Sequence, residues 1–161
     1  MRALGREARQ PARVYFTGGA SAVLYGWRAS TVDVDLRITP EEDAVFRSIP
    51  RLKEELHVNV ELASPADFIP VVEGWEDRSP FVDRQGTLSF HHFELVAQAL
   101  AKIQRGHAQD RADVEAMLAR GLVTRDGLVA YFSRIEADLY RFPALDAPTF
   151  RSAVDEAVAR S

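Results

Sequence analysis

Asp33 and Asp35 stand one valine apart in Thr31-Val32-Asp33-Val34-Asp35-Leu36-Arg37-Ile38, and their type and spacing point to metal chemistry. In an extended strand successive side chains alternate between faces, so the two carboxylates share one face while Val34, Leu36 and Ile38 take the other. Paired carboxylates suit a divalent cation such as Mg2+, which completes its shell with water and substrate phosphate. Upstream, Tyr15-Phe16-Thr17-Gly18-Gly19-Ala20-Ser21 sets a Gly-Gly turn after an apolar run. Glycine permits positive φ and close backbone approach, so Gly18 and Gly19 would let a phosphate reach the main chain. A short helix expected over Ala20 to Tyr25 would aim its first amides at the same point, with Ser21 adding a hydroxyl donor.

This order of strand, glycine turn, helix and acidic strand resembles the nucleotidyltransferase superfamily that includes DNA polymerase beta. Its signature is an apolar residue, Gly-Gly or Gly-Ser, a spacer, then Asp-x-Asp or Asp-x-Glu. Gly18 to Arg28, with Thr31 and the Asp33-Val34-Asp35-Leu36 strand, is most similar to the AbiEii-type branch of bacterial and archaeal proteins, which includes toxins of toxin-antitoxin pairs. A second stretch carries the same likeness. Glu94-Leu95-Val96-Ala97 leads through Lys102-Ile103 and Arg105 to Asp110-Arg111-Ala112-Asp113-Val114, matching an acidic-leucine start, a helical lysine and an Asp-x-x-Asp that opens the next helix.

The resemblance implies a nucleotidyltransferase that uses Mg2+ or Mn2+ to move a nucleotide from a nucleoside triphosphate to a hydroxyl on RNA or protein. It also implies a place as the toxin half of a pair, with an antitoxin as partner. Asp33 and Asp35 would hold the metal, and Gly18, Gly19 and Ser21 would bind the nucleotide. A third carboxylate on a later strand commonly acts on the incoming hydroxyl, and Glu61 in Val58-Asn59-Val60-Glu61-Leu62 is the candidate. Alternation there sets Asn59 and Glu61 on one side and Val58, Val60 and Leu62 on the other. Lys102, one of two lysines in the chain, would act as a point charge on the triphosphate. Asp110 and Asp113 would orient it or contact metal-bound water.

Each residue has a competing structural role. Asp33, Asp35 and Glu61 could decorate solvated strand faces. Asp110 could cap a helix with Asp113 in its first turn, and Lys102 could pair with Glu94 or Gln98 on a wet helix face. Two other functions stay open: a module that binds a nucleotide or partner without turnover, and a nucleotidyltransferase acting on a small molecule such as an antibiotic. Adjacent His91 and His92 diverge and lack a third ligand, so they read as structural.

The elements around these residues define an α/β (α+β) fold: a small mixed sheet with flanking helices, then a helical C-terminal part. After the acidic strand, Thr39-Pro40-Glu41-Glu42 reads as a capping box opening a helix toward Leu56, with a break or kink expected at Pro50. The Val58 to Leu62 strand precedes a loop from Ser64 to Pro80 that could cover the site. Phe81 to Asp83 and Thr87 to Phe90 form an expected strand pair. Four helices are expected beyond: His92 to Arg105, Asp110 to Arg120, Arg125 to Tyr140 and Pro148 to Arg160. The division expected is a core over 1–90 and a helical extension over 91–161 packed on it as one compact unit.

Composition excludes more than it selects. With 161 residues, 47% hydrophobic and 27% charged, the chain can bury one core. Arginines punctuate Met1 to Arg13, which supports neither a signal peptide nor a membrane span, so a cytoplasmic location is expected. There are no cysteines, and a net charge of −4 gives no general attraction to nucleic acid. An RNA acceptor would need a local basic patch such as Arg105, His107 and Arg111.

Overall fold

The computed structural model describes residues 1–160, which divide into two units. The first comprises Met1–Ser64 and Asp77–Phe93, the second Pro65–Glu76 and Glu94–Ser161.

The first unit is built on a mixed sheet of β1 (Ala12–Thr17), β2 (Asp33–Thr39), β3 (Asn59–Leu62), β4 (Phe81–Gln85) and β5 (Leu88–His92), in the order β3-β2-β1-β5-β4. β1 runs antiparallel to β2 and parallel to β5, and β3 runs parallel to β2. Period-two alternation gives the sheet two unlike faces. Val14, Phe16, Leu36, Ile38, Leu88 and Phe90 form the buried core on one. Asp33, Asp35, Thr17, Asn59 and Glu61 share the opposite parity, as the pairings Thr17↔Asp35, Asp33↔Asn59 and Asp35↔Glu61 require.

Helix α1 (Arg2–Glu7) was not foreseen; it is short and lies against α3 (Asp43–Leu56) and β4. Helix α2 (Gly18–Leu24) starts directly at the end of β1 and buries Ala20, Ser21 and Ala22. The capping box expected at Thr39 is not used, because Thr39 is the last residue of β2, paired with Arg13. Glu42 caps α3 instead, accepting the Val45 N–H at 2.7 Å. No break occurs at Pro50: α3 continues through it, with Val45, Ile49 and Leu52 buried on both sides of the missing N–H.

The second unit contains α4 (Leu95–Arg105), α5 (Ala108–Ala119), α6 (Arg125–Ile135) and α7 (Ala147–Ala159), with α4 packed against the other three. Helix α4 starts later than expected because His92 is the last residue of β5, opposite Phe16. Gly106 ends it in the left-handed region at φ 70°, as a glycine C-cap should. Helix α6 gives way to a 3-10 turn over Glu136–Arg141. The segment expected to be a covering loop is anchored here: Ile69, Val72 and Trp75 are buried, and the Val72 N–H donates to the Tyr131 hydroxyl at 3.0 Å. No helix among the described residues is long and apolar enough to cross a membrane.

Candidate active site

The acidic face of β2 and β3 is the candidate site. Parallel pairing sets Asp33 opposite Asn59 and Asp35 opposite Glu61, so four polar side chains form two neighbouring rows on one face. Asp33 and Glu61 are exposed and Asp35 is partly so. The Asn59 side-chain amide donates to Asp33 Oδ1 at 3.2 Å and to Glu61 Oε1 at 2.9 Å, tying the two strands together at this edge. Asn59 was visible in the sequence only as a neighbour of Glu61 on the same strand face; its part as a bridge depends on the register.

The Gly-Gly turn meets this face directly. A Cβ on Gly18 would lie 2.6 Å from Asp35 Oδ2, and Gly18 has φ of +56°. A Cβ on Gly19 would run into Thr31 Oγ1 and lie 3.5 Å from Arg28 Nη1. Each glycine therefore gives its space to a particular neighbour: the Asp35 carboxylate fits against Gly18, and the Thr31 hydroxyl against Gly19. Thr31 is in turn fixed by donating to the Asp33 carbonyl at 2.9 Å. Glycine turn and acidic strand are one packed arrangement.

Ser21 points elsewhere. Its hydroxyl is buried, donates to the Phe16 carbonyl at 3.1 Å and lies 2.9 Å from His92 Nδ1. One hydroxyl proton cannot serve both partners, so His92 carries its proton on Nδ1 and donates to Ser21, a tautomer assigned from the network. The imidazole stacks on Tyr25 with 4.2 Å between ring centres, and burial lowers its pKa to about 4. Ser21 and His92 thus lock α2 onto β1 and β5, the structural role expected of His92.

Glu94, the N-cap of α4, and Gln98 and Lys102 follow one another at four-residue spacing, but all three are buried, so the wet helix face expected for Lys102 is not found. Glu94 accepts from the Tyr131 hydroxyl at 2.7 Å. Lys102 Nζ lies 2.6 Å from Asp113 Oδ2 and 3.6 Å from Asp110 Oδ1, while Arg105 holds Asp110 through both Nε and Nη2. Burial would raise the Asp110 pKa, but the Arg105 hydrogen bond and the charges of Arg105 and Lys102 hold it below the ordinary carboxylate range. The N-cap of α5 is His107, not Asp110, which lies within the first turn. Arg111 donates to the Gly106 carbonyl, so two of the three residues expected to form a basic patch make contacts around the α4–α5 turn.

Among the described residues, no three or more His, Cys, Asp or Glu side chains converge as ligands for one metal ion. The donors on β2 and β3 nonetheless have the right chemistry for a hard divalent cation: two same-face carboxylates, with oxygen ligands left for water and phosphate to supply.

No curated protein and no solved structure matches the chain. A family model does, over residues 1–140, and its description reads nucleotidyltransferase of unknown function, DUF6036. That span takes in the glycine turn, both acidic strands and the Lys102 network, and on it the chain belongs to the DUF6036 family of nucleotidyltransferases.

Proposed function

We propose that this nucleotidyltransferase transfers a nucleotide from a nucleoside triphosphate to a hydroxyl acceptor, in a reaction dependent on Mg2+ or Mn2+. The supporting observation is the β2–β3 register, which brings Asp33, Asp35 and Glu61 onto one open face beside the Gly18–Gly19 turn. Asp33 and Asp35 would hold the cation, which supplies charge stabilisation to the phosphate oxygens and the leaving group. The Gly18 and Gly19 backbone, packed beside Asp35 and Thr31, would take the triphosphate. Glu61 accepts the proton of the incoming hydroxyl, whose oxygen attacks the α-phosphorus; the bond to the bridging oxygen breaks and pyrophosphate leaves. Positioning and charge account for most phosphoryl-transfer catalysis, and this face has residues suited to both. Lys102 is not needed in this reading, because its ammonium is already engaged by Asp113.

RNA or protein is the proposed acceptor class, following the likeness to the AbiEii-type branch, together with a role as a toxin restrained by an antitoxin. Incubation of α-labelled NTPs with Mg2+ or Mn2+ and total cellular RNA or protein tests the activity. Label on one acceptor class, falling at least about a hundredfold in Asp33→Asn and Asp35→Asn, is the expected result. Transfer that persists in both variants would overturn the assignment. For the toxin role, expression should arrest growth and Asp35→Asn should relieve the arrest; arrest by that variant would exclude the role as stated.

A further inference from the structure

Behind β2 and β3, on the face of the sheet away from Asp33 and Asp35, lies a cavity of about 300 Å3. Val34 and Val60, opposite one another in the β2–β3 ladder, line it from the strands. Leu36, Ile49 and Leu52 are its buried walls, while Leu24 and Leu56, 44% and 54% exposed, mark the side on which it opens. Protein interiors hold few voids larger than a water molecule, so a space this large is a built feature of the size that small ligands occupy. We propose that it is a binding site for an unbranched aliphatic ligand of about ten carbons, taking a methylene to need about the 30 Å3 of a water molecule.

The lining selects that class by what it lacks. Among the described residues no charged side chain lines the cavity. Its one side-chain hydroxyl, on Thr31, already donates to the Asp33 carbonyl at 2.9 Å and accepts the Asp33 N–H at 3.3 Å. A nucleobase or a sugar would bury polar atoms there without partners, at a cost that cancels the gain from burial. The single aromatic ring of the lining, Phe16, is stacked on Phe90 with 5.7 Å between ring centres. The other walls are aliphatic, and a flexible chain can follow them. None of Asp33, Asp35 and Glu61 lines the cavity, so the site does not depend on the proposed transfer reaction.

The test titrates the native chain, isotope-labelled at its Ile, Leu and Val methyl groups, with 1-alkanols from butanol to dodecanol, reading methyl NMR shifts and the melting temperature. Affinity should rise about fourfold per added carbon, the equivalent of about 0.8 kcal/mol per buried methylene, and level off near ten carbons. The shifts should fall on Val34, Ile49, Leu52 and Val60, and the melting temperature should rise with occupancy. Val60→Phe, which fills the cavity, should weaken decanol binding at least about tenfold, and Leu56→Gln, at an exposed position, by about threefold or more. The chain-length limit is read on the native chain, so the outcome does not hang on the folding of either variant. Affinity that climbs with chain length without levelling off, and is unchanged in both variants, would mean partition onto exposed leucines and would overturn the inference. So would shifts confined to the helical unit, or no shift with any alkanol. The same shifts on raising the protein concentration alone would give this face to a second copy of the chain and overturn it as well.

Discussion

Two clusters of aspartate in this chain meet opposite fates. Asp33 and Asp35, with Glu61, lie on an open face where the Asn59 amide bridges Asp33 and Glu61, whereas Asp110 and Asp113 are buried against Lys102 and Arg105. The second cluster balances two anions with two cations and stitches the end of α4 to the start of α5. The first lies on an exposed to half-buried strand face, within reach of water. A buried charge must be matched because desolvation is expensive, while an exposed one keeps much of its hydration. Residue type alone therefore does not separate the two clusters; burial does.

Breaking the buried cluster should have the largest effect on stability. Asp113→Ala leaves Lys102 buried without its nearest partner and is expected to destabilise the protein by about 3–5 kcal/mol, read by denaturant unfolding. The double variant Lys102→Met/Asp113→Leu should recover most of that loss, since a well-packed apolar pair can replace a buried ion pair. By contrast Asp33→Asn should abolish transfer and leave the melting temperature unchanged or slightly higher, because it relieves repulsion on an open face. Loss of stability in Asp33→Asn equal to that in Asp113→Ala would erase the distinction between the clusters.

Gly18→Ala addresses the turn beside the acidic strand. Its φ of +56° and the 2.6 Å approach to Asp35 Oδ2 predict a loss of about 1–3 kcal/mol by thermal unfolding. Activity should fall further than this loss explains, as Asp35 is displaced.

Acid titration sharpens the contrast between buried groups. His92 has its pKa lowered to about 4 by burial, against about 6.5 in an unfolded chain. The unfolded state therefore takes up a proton first, so stability falls as pH drops from about 6.5 to about 4 and this contribution levels off below. Asp110 has a lowered pKa, so its contribution is complete above the ordinary carboxylate value and is lost as pH falls through the folded value. His92→Asn, whose amide can still donate to Ser21, should flatten the upper window, and Asp110→Asn the lower. The smallest effect is expected from Arg51→Ala, which removes exposed pairs with Glu7 and Glu55 and should not move the melting temperature measurably.

The acidic face was legible because strand alternation is written in the chain: Asp-Val-Asp and Asn-Val-Glu each declare a shared side. That the two rows lie beside one another was not, since parallel pairing depends on the α3 crossover and on register. The stripe of Glu94, Gln98 and Lys102 reads as solvated because its partners, Tyr131 and Asp113, are remote in sequence or carried by another helix. Ile69, Val72 and Trp75 escaped notice for a related reason. Their surroundings are rich in turn-forming and charged residues, and burial there is decided by helices that follow much later. Helix α1 is too short to declare a periodic pattern.

The route of the backbone through its two units bears on how this protein can be taken apart. The chain leaves the sheet unit after Ser64, returns at Asp77 and leaves again after Phe93. No single cleavage yields both units whole. A fragment ending at Phe93 carries Ile69, Val72 and Trp75 away from the helical unit to which they belong, and a fragment starting at Glu94 deprives Tyr131 of the Val72 amide. Recombination by simple truncation or end-to-end fusion would therefore expose apolar anchors. Grafting the helical unit onto another sheet would require transferring two separate segments, one of them the twelve-residue passage from Pro65 to Glu76.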